Sequence, residues 1–87
     1  QALVPSNLYL YYNSQWEKLF VNAKNIRGYN CMLQIVDLSG KEVYSSATKI
    51  QPPYFTQDID LSTISNGMYI INLLTEKERL TGKFVKE

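Results

Sequence analysis

The feature that most constrains this chain is a series of short runs with β-strand character, separated by turn signals at nearly regular spacing. We predict strands over residues 8–12, 16–21, 31–38, 41–46, 54–59, 68–74 and 79–86. No window of about 11 residues carries apolar positions at helical spacing, so a helical fold is not expected. Seven short strands with such spacing are typical of a β-sandwich, and the predicted fold class is all-β.

Turn residues and strand alternation add detail to this prediction. Ser39-Gly40 predicts a two-residue hairpin turn, and Asn66-Gly67 predicts a second turn before the sixth strand. Residues 22–30 are predicted to form a loop. Alternation within the strands predicts a core of Leu19, Val21, Leu33, Ile35, Val43, Ile59, Leu61, Ile64, Tyr69, Ile71, Leu73 and Phe84.

Composition excludes several classes of function. At 87 residues the chain is one domain, and its net charge of +1 is too small for a nucleic-acid-binding surface. The chain has no histidine, which removes the commonest general base and metal ligand, so we expect neither an enzyme nor a metal site or other cofactor. The single cysteine, Cys31, is predicted to be a small buried hydrophobic residue.

One pair of carboxylates admits two interpretations. Asp58 and Asp60 lie two apart on a strand, hence on one face, and this spacing could chelate a cation. Because they lie beside a turn, we favour the interpretation that they cap local backbone N–H groups.

Aromatic residues concentrate near the N-terminus, at Tyr9, Tyr11, Tyr12 and Trp16. We expect Tyr9 and Tyr11 to face the core or the opposing sheet, with Trp16 covering the sandwich edge. The alternative is a row of solvent-facing rings that binds carbohydrate, which would make the chain a carbohydrate-binding or adhesion module.

The last predicted strand, residues 79–86, alternates in polarity and has charged ends. Leu80, Gly82, Phe84 and Lys86 share one face, and Thr81, Lys83 and Val85 share the other. The lysines could simply discourage unwanted pairing at a sheet edge. The alternative is that this end of the chain is an accessible tag that another protein grips.

Three segments together resemble one protein family. Residues 37–43, Asp-Leu-Ser-Gly-Lys-Glu-Val, are similar to its hairpin signature, and residues 59–71 contain its Gly-x-Tyr motif at Gly67 to Tyr69. Residues 81–87 resemble its basic and apolar last strand. The resemblance covers roughly residues 19–87 and is to the C-terminal sorting domain of the Bacteroidetes type IX secretion system (type A, Por secretion class).

The resemblance implies an immunoglobulin-like antiparallel β-sandwich that directs an attached cargo through the periplasm to the cell surface or the medium. It implies two partners, the outer-membrane translocon and a sortase-like peptidase that usually removes the domain. The residues it assigns to recognition are Gly82, Lys83, Phe84, Val85, Lys86 and Glu87. The residues it assigns to the fold are Asp37, Gly40, Lys41, Gly67 and Tyr69.

This interpretation divides the chain into two parts. Residues 1–7 are predicted to link the domain to an upstream cargo, and residues 8–87 to form the sorting domain.

A domain that is retained as a docking module of a surface complex is a variant of the same interpretation. A homodimer through exposed edge strands is also left open.

Overall fold

A computed structural model describes residues 6–87, which form seven strands and confirm the all-β prediction. The strands are β1 (Asn7–Asn13), β2 (Lys18–Lys24), β3 (Asn30–Asp37), β4 (Glu42–Lys49), β5 (Phe55–Asp60), β6 (Gly67–Thr75) and β7 (Arg79–Lys86). Residues 1–5 of the predicted linker lie outside the described residues, and Asn7 is the first residue of β1. Residues 6–87 contain no helix of the length and apolarity that a membrane crossing requires.

The strands form two sheets that pack face to face as an immunoglobulin-like sandwich. The three-stranded sheet has the order β1-β2-β5, and the four-stranded sheet has the order β4-β3-β6-β7. All of these neighbours pair antiparallel. The chain crosses between the sheets after β2, after β4 and after β5, so residues distant in sequence meet in one core.

Ten of the twelve predicted core residues are buried. Val43 and Ile64 are half-buried and pack against the core, and the other predicted residues are buried. Ala23 is buried because β2 continues through residues 22–24, which we had predicted as loop. Its neighbours in this strand, Leu19 and Val21, face the core with it.

Two isoleucines in loops also belong to the core, and strand alternation could not reveal them. Ile26 N–H donates to Pro53 O at 2.9 Å, and Ile50 N–H donates to Tyr29 O at 2.8 Å. These backbone bonds hold both loops against the end of the sandwich, where the isoleucine side chains are buried.

The turn between β3 and β4 is longer than we predicted. Gly40 N–H donates to Asp37 O, and Asp37 N–H donates to Lys41 O, so three residues rather than two form the loop. Gly40 has a φ of 90°, which favours glycine at this position. The two-residue prediction was wrong because it left out Asp37, whose Oδ1 accepts hydrogen bonds from Ser39 N–H at 2.9 Å and Lys41 N–H at 3.0 Å.

The expectation that Tyr9 and Tyr11 face the core is also wrong. Leu8, Leu10 and Tyr12 occupy the inward positions of β1, so both tyrosines point to solvent. Trp16 is likewise exposed and does not cover the sandwich edge. Alternation correctly divided β1 into two faces. The prediction chose the face with Tyr9 and Tyr11 as the buried one because large aromatic residues are often buried, and that choice was wrong.

Candidate functional site

The last strand, β7, lies at the edge of the four-stranded sheet and divides the predicted recognition residues into two groups. Within residues 6–87, β7 pairs with β6 alone. Phe84 and Lys86 point inward and are buried, whereas Lys83 and Val85 point outward and are exposed. Glu87, directly after the strand, is exposed. Of the four strand residues named here, only Lys83 and Val85 therefore have side chains that a partner could reach.

Phe84 anchors β7 in the core through aromatic contacts. Its ring lies 5.7 Å from the Tyr69 ring and 6.5 Å from the Tyr12 ring, nearly parallel to both. Tyr69 belongs to the neighbouring strand and Tyr12 to the opposing sheet. Phe84 thus joins the last strand to both sheets, as its predicted place in the core requires.

Lys86 is buried, although recognition as part of an accessible tag would require its side chain to be free. The side chain is 4% exposed, and its Nζ lies 3.3 Å from Glu17 Oε1. Nζ also donates a hydrogen bond to Ile64 O at 2.6 Å. Lys86 therefore ties the end of the chain to the β1–β2 turn and to the β5–β6 loop, which is a structural role.

Gly82 permits a close approach, but the approaching groups come from the chain itself. A Cβ at this position would lie 2.7 Å from Leu10 Cδ1 and 3.3 Å from Leu8 Cδ2. The missing side chain lets β1 pack closely over β7 across the sandwich. This contact accounts for the glycine without any partner.

The outward residues of β7 belong to a larger patch that crosses three strands. Lys83 is the Cα partner of Ile70, and Val85 is the Cα partner of Met68. Ile70 is in turn the partner of Val36 on β3. We call this set, Val36, Met68, Ile70, Lys83 and Val85, the terminal patch. It combines an apolar surface with one exposed ammonium group.

Sequence analysis did not identify Val36, Met68 and Ile70 as members of the site. They lie far from the chain terminus in sequence and reach β7 through strand pairing. The signal was nevertheless present, because residues 68–74 alternate strictly and place Met68 and Ile70 on the face opposite Tyr69.

The predicted fold residues all lie at turns or at the start of β6. Gly67 opens β6 with a φ of 152°, and the buried Tyr69 donates its hydroxyl to Ser65 O. This bond ties the β5–β6 corner to the core, as in the tyrosine corner of immunoglobulin-like domains.

At the β3–β4 turn, hydrogen bonds from Ser39 and then Lys41 hold the pKa of Asp37 below its ordinary value of 3.8.

The remaining candidate groups of the sequence have structural partners. Asp60 Oδ1 accepts a hydrogen bond from Ser62 N–H at 2.9 Å, which is the predicted cap, whereas Asp58 pairs with Lys18 at 3.7 Å. In the described part of the chain, no three carboxylate or cysteine groups come together as a metal site. Cys31 is buried, as predicted, and this burial raises the pKa of its thiol to about 11.

The sequence was compared with known protein families and with curated proteins. The chain matches the family described as secretion system C-terminal sorting domain over residues 9–87, which is nearly its whole length. No curated protein matches the chain. The matched segment contains every strand in full except the first two residues of β1. The chain belongs to this family of sorting domains and is a C-terminal sorting signal of the type IX secretion system.

Proposed function

We propose that the secretion machinery recognises this sorting domain through the terminal patch and the neighbouring edge of β7, which pairs with no second strand within residues 6–87. In this proposal the domain carries an upstream cargo through the periplasm to the outer-membrane translocon. The observation that carries it is the orientation of β7: Lys83 and Val85 face solvent beside Met68 and Ile70, while Phe84 and Lys86 hold the strand in place.

The patch has the composition of a binding surface. Met68 is 44% exposed and Val85 is 46% exposed, although both are apolar and lie side by side. Lys83 gives this apolar surface a positive charge, which favours a partner surface with an acidic group next to an apolar one. Methionine adapts its shape to a partner more readily than branched residues do.

The edge of β7 that faces away from β6 is a second means of recognition in this proposal, because no other strand in residues 6–87 hydrogen-bonds to it. An edge strand presents unpaired N–H and C=O groups, and a partner strand can add to it by backbone hydrogen bonding. Such bonds would provide affinity, and the outward side chains of the terminal patch would provide selectivity. Glu87 lies where the added strand would pass the end of the chain.

Removal of the domain after export is a separate part of the proposal. A sortase-like peptidase would cut before Asn7, in the segment that the sequence predicts as a linker, because the chain is part of the folded sandwich from Asn7 onward. Retention of the domain as a docking module would leave the recognition step unchanged.

A secretion fusion with matched variants tests the recognition surface. The 87 residues follow a signal peptide and a fluorescent reporter, in hosts with and without a working type IX translocon. One variant carries Lys83→Ala and Met68→Ser. The control carries Lys49→Ala and Met32→Ser, because Met32 is 49% exposed on the same outer face at the opposite end of the sheet.

We expect the control to be exported like the wild type and the terminal-patch variant to accumulate in the periplasm at equal stability. Export of both variants at the wild-type level would rule out the terminal patch as the recognition surface. A wild-type reporter that reaches the surface without the translocon would instead contradict the translocon-dependent route itself.

A further inference from the structure

The outer face of the three-stranded sheet carries a row of aromatic rings that lie outside the recognition surface proposed above. Tyr9 is 51% exposed and Tyr11 is 62% exposed, two residues apart on β1. Tyr11 is the Cα partner of Phe20, and the two rings stack with centroids 6.1 Å apart. We call Tyr9, Tyr11 and Phe20 the aromatic row. It lies on the opposite sheet from the terminal patch.

Polar groups of several kinds border the row. A shallow depression of about 470 Å³ lies between Tyr9, Asn22 and Lys24. A second depression, of about 200 Å³, has Phe20 and Asn22 on one side and Thr56 and Asp58 on the other. Amide, hydroxyl and carboxylate groups on β2 and β5 therefore provide both donors and acceptors beside the rings.

The outer face of this sheet carries two lysines and two aspartates, Lys18, Lys24, Asp58 and Asp60, and so has no net charge. Lys18 Nζ lies 3.7 Å from Asp58 Oδ2. Lys24 Nζ lies 5.6 Å from the centroid of the Tyr9 ring, where the ammonium group contacts its electron-rich face. Because the face has no large excess of either charge, it suits an uncharged ligand better than an anionic membrane or a nucleic acid.

A carbohydrate matches this combination of groups. The C–H bonds on one face of a sugar ring carry partial positive charge and pack on the negative face of an aromatic ring. The hydroxyl groups around the sugar then need donors and acceptors beside the ring, which Asn22, Thr56 and Asp58 supply. A protein partner fits less well, because the cores of protein–protein interfaces are depleted in charged residues. This face carries Lys18, Lys24 and Asp58 among its rings.

We propose that the aromatic row and the polar groups around Asn22 form a binding site for uncharged oligosaccharides, separate from the export signal. The tyrosines lie on β1, an edge strand of the sheet, so one face of each ring contacts β2 and the other is open to a ligand. This inference does not rest on the proposed recognition surface, because it concerns the purified domain alone.

The test is to titrate the purified chain with cellohexaose, laminarihexaose and maltohexaose. Binding is measured by calorimetry and by changes in the backbone amide chemical shifts. We expect weak binding to at least one of them, with a Kd of about 0.1–1 mM and shift changes centred on the aromatic row. The Tyr9→Ser, Tyr11→Ser double variant should weaken binding by about tenfold or more. Tyr11→Phe, which keeps the ring, should bind within about twofold of the wild type.

The control is Tyr54→Ser, since Tyr54 is 63% exposed and lies outside the row. It should bind as the wild type does. The proposal is overturned if none of the three oligosaccharides binds, or if Tyr54→Ser weakens binding as much as the double variant. It is also overturned if the double variant changes the sedimentation of the chain while sugar binding is unaltered, because the row would then be an interface between copies.

Discussion

At the scale of single residues, the two lysines of β7 differ in burial and therefore in role, although they are only three positions apart: Lys83 and Lys86. Lys83 lies on the solvent face of β7, while Lys86 is buried and contacts Glu17 and Ile64. Buried lysine is rare and needs partners for its charge, which these two groups supply. A variant that removes both lysines would therefore combine a change of surface with a change of stability.

The first prediction separates these roles. Lys86→Ala should lower the free energy of unfolding by about 1–3 kcal/mol, because Ile64 O loses a charged hydrogen-bond donor and Glu17 loses its ion-pair partner. Lys83→Ala should change it by less than about 0.5 kcal/mol, as for most surface substitutions. Urea denaturation followed by circular dichroism measures both values. Equal losses in the two variants would contradict the assignment.

The second residue-scale prediction concerns Cys31. Burial raises the pKa of its thiol to about 11, so at pH 8 roughly one molecule in a thousand would carry the reactive thiolate even if a reagent could enter. We expect Ellman's reagent to label the native chain far more slowly than the urea-unfolded chain. Labelling at the same rate in both states would show that the thiol is accessible in the fold.

At the scale of elements, the β6–β7 turn fastens the loop before β3. Glu76 Oε1 accepts hydrogen bonds from the N–H groups of Tyr29 and Asn30, both at 3.0 Å. The neighbouring Glu78 Oε2 accepts one from Arg27 N–H at 2.7 Å. Gly28 lies so close to this turn that a Cβ there would be 2.6 Å from Glu76 Oε1. Two carboxylates thus order a loop that has no regular structure of its own.

The third prediction follows from the pKa of Glu76. Hydrogen bonds from Asn30 and Tyr29 hold the pKa of Glu76 below its ordinary value of 4.5 in the folded state. The stability it contributes is therefore present above about pH 4.5 and is lost as the pH falls through the lowered value. Glu76→Gln should be less stable than the wild type at neutral pH, and the difference should narrow in acid. A difference that stays constant from pH 7 to pH 3 would contradict this linkage.

At the scale of the whole molecule, the terminal patch exists only in the folded domain. Its residues come from β3, β6 and β7, and the register of two strand pairs brings them together. Phe84 and Lys86 hold β7 in place through contacts within the domain, with Tyr69 and with Ile64 O. The export signal in our proposal is therefore a surface rather than a linear tag.

The fourth prediction tests this conclusion by competition. A synthetic peptide of residues 79–87 lacks Met68 and Ile70, so it should not compete with the folded domain for the solubilised translocon. The intact, purified domain should compete. Competition by the peptide at the concentration effective for the whole domain would show that the terminal sequence is read without the fold.

The sequence by itself determined the strands, most of the core and the resemblance to the sorting-domain family. These depend on local rules: a side-chain period of two, turn residues such as Gly40 and Asn66-Gly67, and the order of three motifs. Tertiary structure decided which face of β1 is buried, since a period of two defines two faces without choosing between them. It exposed Tyr9 and Tyr11, buried Lys86 and brought Met68 beside Val85, because these outcomes depend on packing and register between strands distant in sequence.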